Sequence, residues 1–85
     1  MEMKAVISSN IKSIGYNPDT HDLAIEYHSG AIYDYPEVPP EKHAEIMRSD
    51  SIGKAVSKFI TEVNREDGSR KYPGTKRKAT GLGAR

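Results

Sequence analysis

The chain has 85 residues, a net charge of +1 and no cysteine. It can therefore make one domain with a small core, and neither a disulfide framework nor a thiolate metal site is open to it. No apolar run reaches membrane-spanning length, and the start, Met1-Glu2-Met3-Lys4, lacks a signal peptide's apolar segment, so a cytoplasmic protein is expected.

Residues 1–9 hold one apolar pair, Val6-Ile7, and no clear period; they extend the first strand or lie as an arm. Residues 10–16 read as a strand that ends in the turn Asn17-Pro18-Asp19-Thr20, where proline supplies the fixed φ a turn needs at its second position. Asp22 to Tyr27 alternates polar or small residues with Leu23, Ile25 and Tyr27, the period of a half-buried strand. A third strand, Ala31 to Tyr35, follows. A two-residue turn at Ser29-Gly30 would mix charge into both faces. A three-residue loop, His28-Ser29-Gly30, instead sets Ile25 opposite Tyr33 and Leu23 opposite Tyr35, with glycine where a left-handed residue is needed. One face then carries Ile14, Tyr16, Leu23, Ile25, Tyr27, Tyr33 and Tyr35; the other carries Ala24, Glu26, Ile32 and Asp34.

So small a sheet needs a cover for its apolar face. Pro39-Pro40 with Glu41 opens a helix in which His43, Ile46 and Met47 share one side. Ser49-Asp50-Ser51 breaks it and caps a second helix with Ile52, Val56, Phe59, Ile60 and Val63 at helical spacing. Gly53, in that helix's first turn, either permits close approach to a neighbouring backbone, the usual reason for a glycine there, or is merely tolerated. The expected architecture is α+β: a three-stranded antiparallel meander covered on one face by two short helices. Residues 1–64 make the domain. They carry six Lys/Arg against ten Asp/Glu, whereas residues 65–85 carry seven against two. With four glycines and only Tyr72 and Leu82 as large apolar residues, residues 65–85 read as a disordered basic tail.

Ser8-Ser9-Asn10-Ile11, Ile14-Gly15-Tyr16, Ser29-Gly30, Tyr33-Asp34-Tyr35, Val38-Pro39 and Ser51-x-Gly53, in this order, give the chain a resemblance to the KTSC domain. That family takes its name from a C-terminal appendage of some lysyl-tRNA synthetases, and its members also occur as small bacterial and phage proteins. The resemblance covers roughly residues 6–60 and implies a small α+β fold, with RNA binding as the usual suggestion for what the family does. The chain departs from the pattern at Ala55-Val56-Ser57, where the family often has an aromatic pair and an asparagine; a surface site formed there would be altered.

Two features point to a partner. Tyr33 and Tyr35 either stack nucleic-acid bases or belong to the core, and the register favours the core. The cations Arg65, Arg70, Lys71, Lys76, Arg77, Lys78 and Arg85 form the candidate phosphate-contacting set. His21, His28 and His43 lie on separate elements without metal-ligand spacing, and no nucleophile, base and orienting group come together, so neither a metal, a cofactor nor catalysis is expected. The leading reading is a non-catalytic binding module for RNA or another nucleic acid. The alternative is a protein-interaction domain of a phage or mobile element.

Overall fold

Local turn chemistry sets the sheet. In the computed structural model, which describes residues 3–77, β2 (Ile11–Asn17), β3 (Asp22–Tyr27) and β4 (Ile32–Tyr35) form an antiparallel meander. Between β2 and β3, the Asn17 carbonyl accepts from the His21 N–H at 2.7 Å and the Asn17 side chain accepts from the Asp19 N–H at 2.9 Å. His21 closes this turn at φ 64°, a left-handed conformation that costs a non-glycine residue free energy. Between β3 and β4 the loop is His28-Ser29-Gly30, with Gly30 at φ 97° and the Tyr27 N–H bonded to the Ala31 carbonyl at 2.9 Å. Ile25 stands opposite Tyr33 and Leu23 opposite Tyr35, as the alternation requires.

Among the described residues the sheet has five strands rather than three, in the order β1-β2-β3-β4-β5. β1 (Met3–Ala5) runs antiparallel to β2, with Lys4 opposite Ile14, and β5 (Thr75–Lys76) runs antiparallel to β4, with Lys76 opposite Tyr33. Both additions are short and mostly exposed, so they carry no apolar alternation for a sequence to display. A bulge between Ile11 and Ser13 is the second departure. It explains how Ile11 and Ile14, three positions apart, both turn into the core, since the extra residue resets the side-chain alternation.

α1 (Pro40–Arg48) and α2 (Ile52–Thr61) cover one face. Proline in α1's first turn and Glu41 at its positive end start the helix without a side-chain cap. The break at 49–51 is held by the Ser51 N–H donating to Ser49 Oγ at 3.1 Å, and Ser51 Oγ then accepts from the Lys54 N–H at 3.4 Å to cap α2. Ile46 from α1 and Val56 and Phe59 from α2 pack onto Ile11, Ile14, Leu23, Ile25, Tyr35 and Val38, all nearly or wholly buried. Each such side chain contributes about 1.5–3 kcal/mol by leaving water. His43 stacks on Tyr16 with ring centroids 4.5 Å apart, and the Tyr16 hydroxyl donates to the Val38 carbonyl at 2.6 Å. Gly53 is indeed a point of close approach: a Cβ there would lie 3.1 Å from Asn10 Oδ1 and 3.2 Å from Ser8 Oγ. No helix among the described residues is long and apolar enough to cross a membrane.

Residues 65–77 correct the expectation of disorder. The segment after α2 doubles back as a small hairpin, with the Asn64 N–H bonded to the Ser69 carbonyl at 2.8 Å, a bridge pairing Val63 with Arg70, and the Lys71 N–H bonded to the Glu62 carbonyl at 3.0 Å. It then crosses α2 and joins the sheet as β5. Composition undercounts such a segment because a few contacts to an existing core, rather than a core of its own, hold it. Residues 78–85, with Lys78 and Arg85, lie outside the described residues.

Candidate functional site

The returning segment, residues 70–77, acts as a strap over the tyrosine face. Tyr72 stacks on Phe59 with centroids 4.8 Å apart and planes at 16°. Gly74 lies so close to Tyr35 that a Cβ would come within 2.2 Å of the ring, a position only glycine can hold without displacing backbone or ring. The Arg77 N–H donates to the Ile32 carbonyl at 2.7 Å, and the Arg77 guanidinium grips Asp34 through Nε at 2.9 Å and a second nitrogen at 2.5 Å. Lys71 pairs with Glu62 at 3.2 Å, and Lys42 reaches the same carboxylate at 3.3 Å. Burial works against ionisation of Glu62, yet hydrogen bonds from the two lysines hold its carboxyl below the usual range.

These contacts sort the sequence-identified cations. Lys71 and Arg77 are engaged within the domain, Arg65 sits in the hairpin turn, and Arg70 and Lys76 reach the tyrosine face. Arg77 and Lys76 part company because neighbouring residues of a strand point to opposite faces. Arg77 goes with Asp34 to the far side, whereas Lys76 stands with Tyr33.

Together strap and sheet enclose an open cleft of about 810 Å³. Tyr27, Tyr33 and Tyr35 line it from the sheet, Arg70, Gly74 and Lys76 from the strap, and Ser9, Asn10, His28 and Ser29 from the loops at one end. None of these lining residues is a carboxylate, although residues 1–64 as a whole are acidic. The two motif tyrosines separate here. Tyr35 is 4% exposed, and its ring meets that of Phe59 nearly perpendicular at a centroid distance of 5.3 Å. Tyr33 is half-buried at the rim, edge-to-face with Tyr27 at 5.9 Å. Burial first, then the neighbouring Tyr27 phenol, push the Tyr35 hydroxyl up to about 12, so it stays protonated and able to donate. Burial also raises the Tyr27 phenol.

Sequence reasoning found Tyr33, Tyr35, Arg70 and Lys76 and set Tyr27 on the tyrosines' face, but missed His28, Ser9 and Asn10 as neighbours of the site. The Tyr27–Ile11 pairing across β2 and β3, with the His28 N–H bonded to the Asn10 carbonyl at 3.0 Å, brings that loop end into the cleft. A second cleft runs from Ser8 and Asn10 to Ser51, Gly53 and Lys54, where Ser8 Oγ donates to Asn10 Oδ1 at 3.0 Å. Among the described residues no three His, Cys, Asp or Glu side chains gather as metal ligands would.

Comparison with known proteins fits this geometry. The model of the KTSC domain matches residues 7–63. An uncharacterized protein of Stutzerimonas stutzeri is 41% identical over 54 residues, 64% of this chain and 76% of its own length. A lysine–tRNA ligase of Nostoc punctiforme is 38% identical over 52 residues, 61% of this chain but 9% of the ligase. The crystal structure of a KTSC domain protein from Yersinia pestis superposes with a TM-score of 0.76 at 30% identity, covering 91% of this chain and 97% of the other. The strap lies beyond the matched residues, whereas the tyrosine strand and the Ser8–Asn10 loop it covers lie within them, and the chain belongs to the KTSC domain family.

Proposed function

We propose that the protein is a non-catalytic RNA-binding module whose contact surface is the tyrosine cleft. The observation that carries this reading is the pairing of an accessible aromatic, Tyr33, with Arg70 and Lys76 in a cleft whose lining has no carboxylate. Bases stack on such aromatics with little sequence preference, and nearby cations neutralise the backbone. Tyr35, pinned between Phe59 and Gly74, supports the cleft rather than stacking a base. That a lysine–tRNA ligase carries a related segment is consistent with an RNA partner. Arg65, Lys78 and Arg85 add positive charge to the chain, and net positive charge steers association with a polyanion more than it selects sequence.

The test is fluorescence anisotropy with mixed-sequence RNA at two salt concentrations. Binding should weaken steeply with salt, and Lys76→Gln should flatten the log–log slope by about one. Tyr33→Ala should cost about 1–3 kcal/mol of affinity, the worth of one stack. No detectable binding at low salt would remove the reading and leave a protein partner for the acidic surface as the alternative. Cutting the chain at Asn64 is a poor version of this experiment, since it strips Tyr72 and Gly74 from the core as well as removing cations.

A further inference from the structure

We infer that the tyrosine cleft is one part of a longer track, in which an unpaired RNA strand runs from Tyr33 across Ser9 and Asn10 into the second cleft and sets a backbone phosphate against Lys54. This rests on the RNA reading above and deepens it, from one contact surface to a path and from RNA in general to a single strand.

The two clefts meet. Ser9 and Asn10 line both of them, the first of about 810 Å³ and the second of about 480 Å³. Printed on that junction is a set of hydrogen bonds that fixes what it presents. The His28 N–H donates to the Asn10 carbonyl at 3.0 Å, and His28 Nε2 bonds the Ser8 carbonyl, also at 3.0 Å. Ser8 Oγ accepts from the Ile11 N–H at 3.4 Å and donates to Asn10 Oδ1 at 3.0 Å. Asn10 Oδ1 also packs over Gly53, where a Cβ would lie 3.1 Å from it. With the carboxamide oxygen engaged, the exposed Asn10 offers a ligand its NH₂ group, which carries two donors. Phosphate, sugar and base-edge oxygens are the acceptors such a group meets on a nucleic acid.

Beyond the junction, Lys54 is exposed and makes no ion pair with the described residues. It lines the second cleft with the hydroxyl of Ser57. Asp50 is the single carboxylate among that cleft's lining residues, so the charge there balances and suits one phosphate rather than a dense cluster of them. The tyrosine end demands an unpaired strand. Tyr33 takes a base on its ring only when that base has left its stack, and a duplex keeps the faces of its interior bases covered.

The test uses the full chain, isotope-labelled for amide NMR at low salt, and an RNA strand of about twelve residues without self-complementarity, a length that small domains cover. The amides of Tyr33, Asn10, Gly53 and Lys54 should shift together and saturate at one RNA concentration. Lys54→Gln alters an exposed side chain and leaves the helix cap and core in place. It should weaken binding roughly threefold to tenfold and flatten the log–log salt slope by about one. Asn10→Ala should weaken binding by a similar factor. The duplex of the same strand with its complement should bind less tightly, although it carries about twice the charge. Shifts that stop short of Gly53 and Lys54, unchanged affinity in either variant, or a duplex that binds as well as the strand each overturn the inference and leave the RNA reading standing. Failure of every RNA to bind at low salt removes both.

Discussion

Replacing each motif tyrosine by alanine should give two unlike proteins. Tyr35 is 4% exposed, wedged between the Phe59 ring and the Gly74 backbone, and belongs to the same core cluster as Leu23 and Ile25. Truncating a buried aromatic costs about 3–5 kcal/mol in lost transfer and residual cavity. A domain this small holds about 5–10 kcal/mol in all, so Tyr35→Ala should melt about 15 °C or more below the parent, or fail to fold. Tyr33 is half-buried, and one edge-to-face contact with Tyr27 at 5.9 Å is its main aromatic partnership. Its loss should cost about 1–2 kcal/mol, a shift of roughly 5–10 °C. Thermal melts by circular dichroism distinguish these values, with Tyr35→Phe as a control that retains the packing. If Tyr33→Ala falls as far as Tyr35→Ala, then Tyr33 is a core residue, and the separation of the pair into support and contact surface is wrong.

Gly74→Ala places a methyl group where the Tyr35 ring already stands, so the strap should lift; a loss of about 1–3 kcal/mol and faster tryptic cleavage after Lys71 and Lys76 are expected, and unchanged cleavage would refute the close approach. Burial, then the nearby Lys4, hold the His43 imidazole below its usual value. The unfolded chain therefore binds a proton before the folded one does. The His43 contribution is present above about pH 6.5 and is lost as pH falls through the lower folded value. The parent should weaken between about pH 7 and 5 more than His43→Gln does in parallel urea melts. Ser51→Ala removes the acceptor that caps α2 through a long bond of 3.4 Å, so its cost by denaturant melt should sit near the low end of the usual range, about 0.5–1 kcal/mol.

How far the sequence reaches depends on where each element gets its stability. The meander was legible because Leu23, Ile25, Tyr33 and Tyr35 must share a face, and Gly30 leaves one loop length that lets them. α1 and α2 were legible from their apolar spacing and from the proline and serine at their starts. β1, β5 and the bulge at Lys12 were not, since backbone pairing holds them and leaves almost no side-chain pattern. The strap is the clearest miss. Tyr72, Gly74 and Arg77 each find a partner far away in sequence, up to 43 positions in the case of Arg77 and Asp34, and composition within a segment cannot register such contacts. Half of the candidate site was hidden for the same reason: the cations were visible, but which of them the domain keeps for itself was not.

The sheet's two outermost strands are three and two residues long, and each carries a lysine, Lys4 in one and Lys76 in the other. Unpaired strand edges are where separate molecules zip together into larger sheets, and the hazard grows with the length and greasiness of the exposed edge. Without β5, the outer edge would be β4, an Ile-Tyr-Asp-Tyr strand rich in residues that favour such pairing. Capping it with a brief, charged strand replaces an inviting template with a poor one. The segment that walls the cleft thus also shields the domain from edge-to-edge aggregation, and sequence changes in it are constrained by solubility.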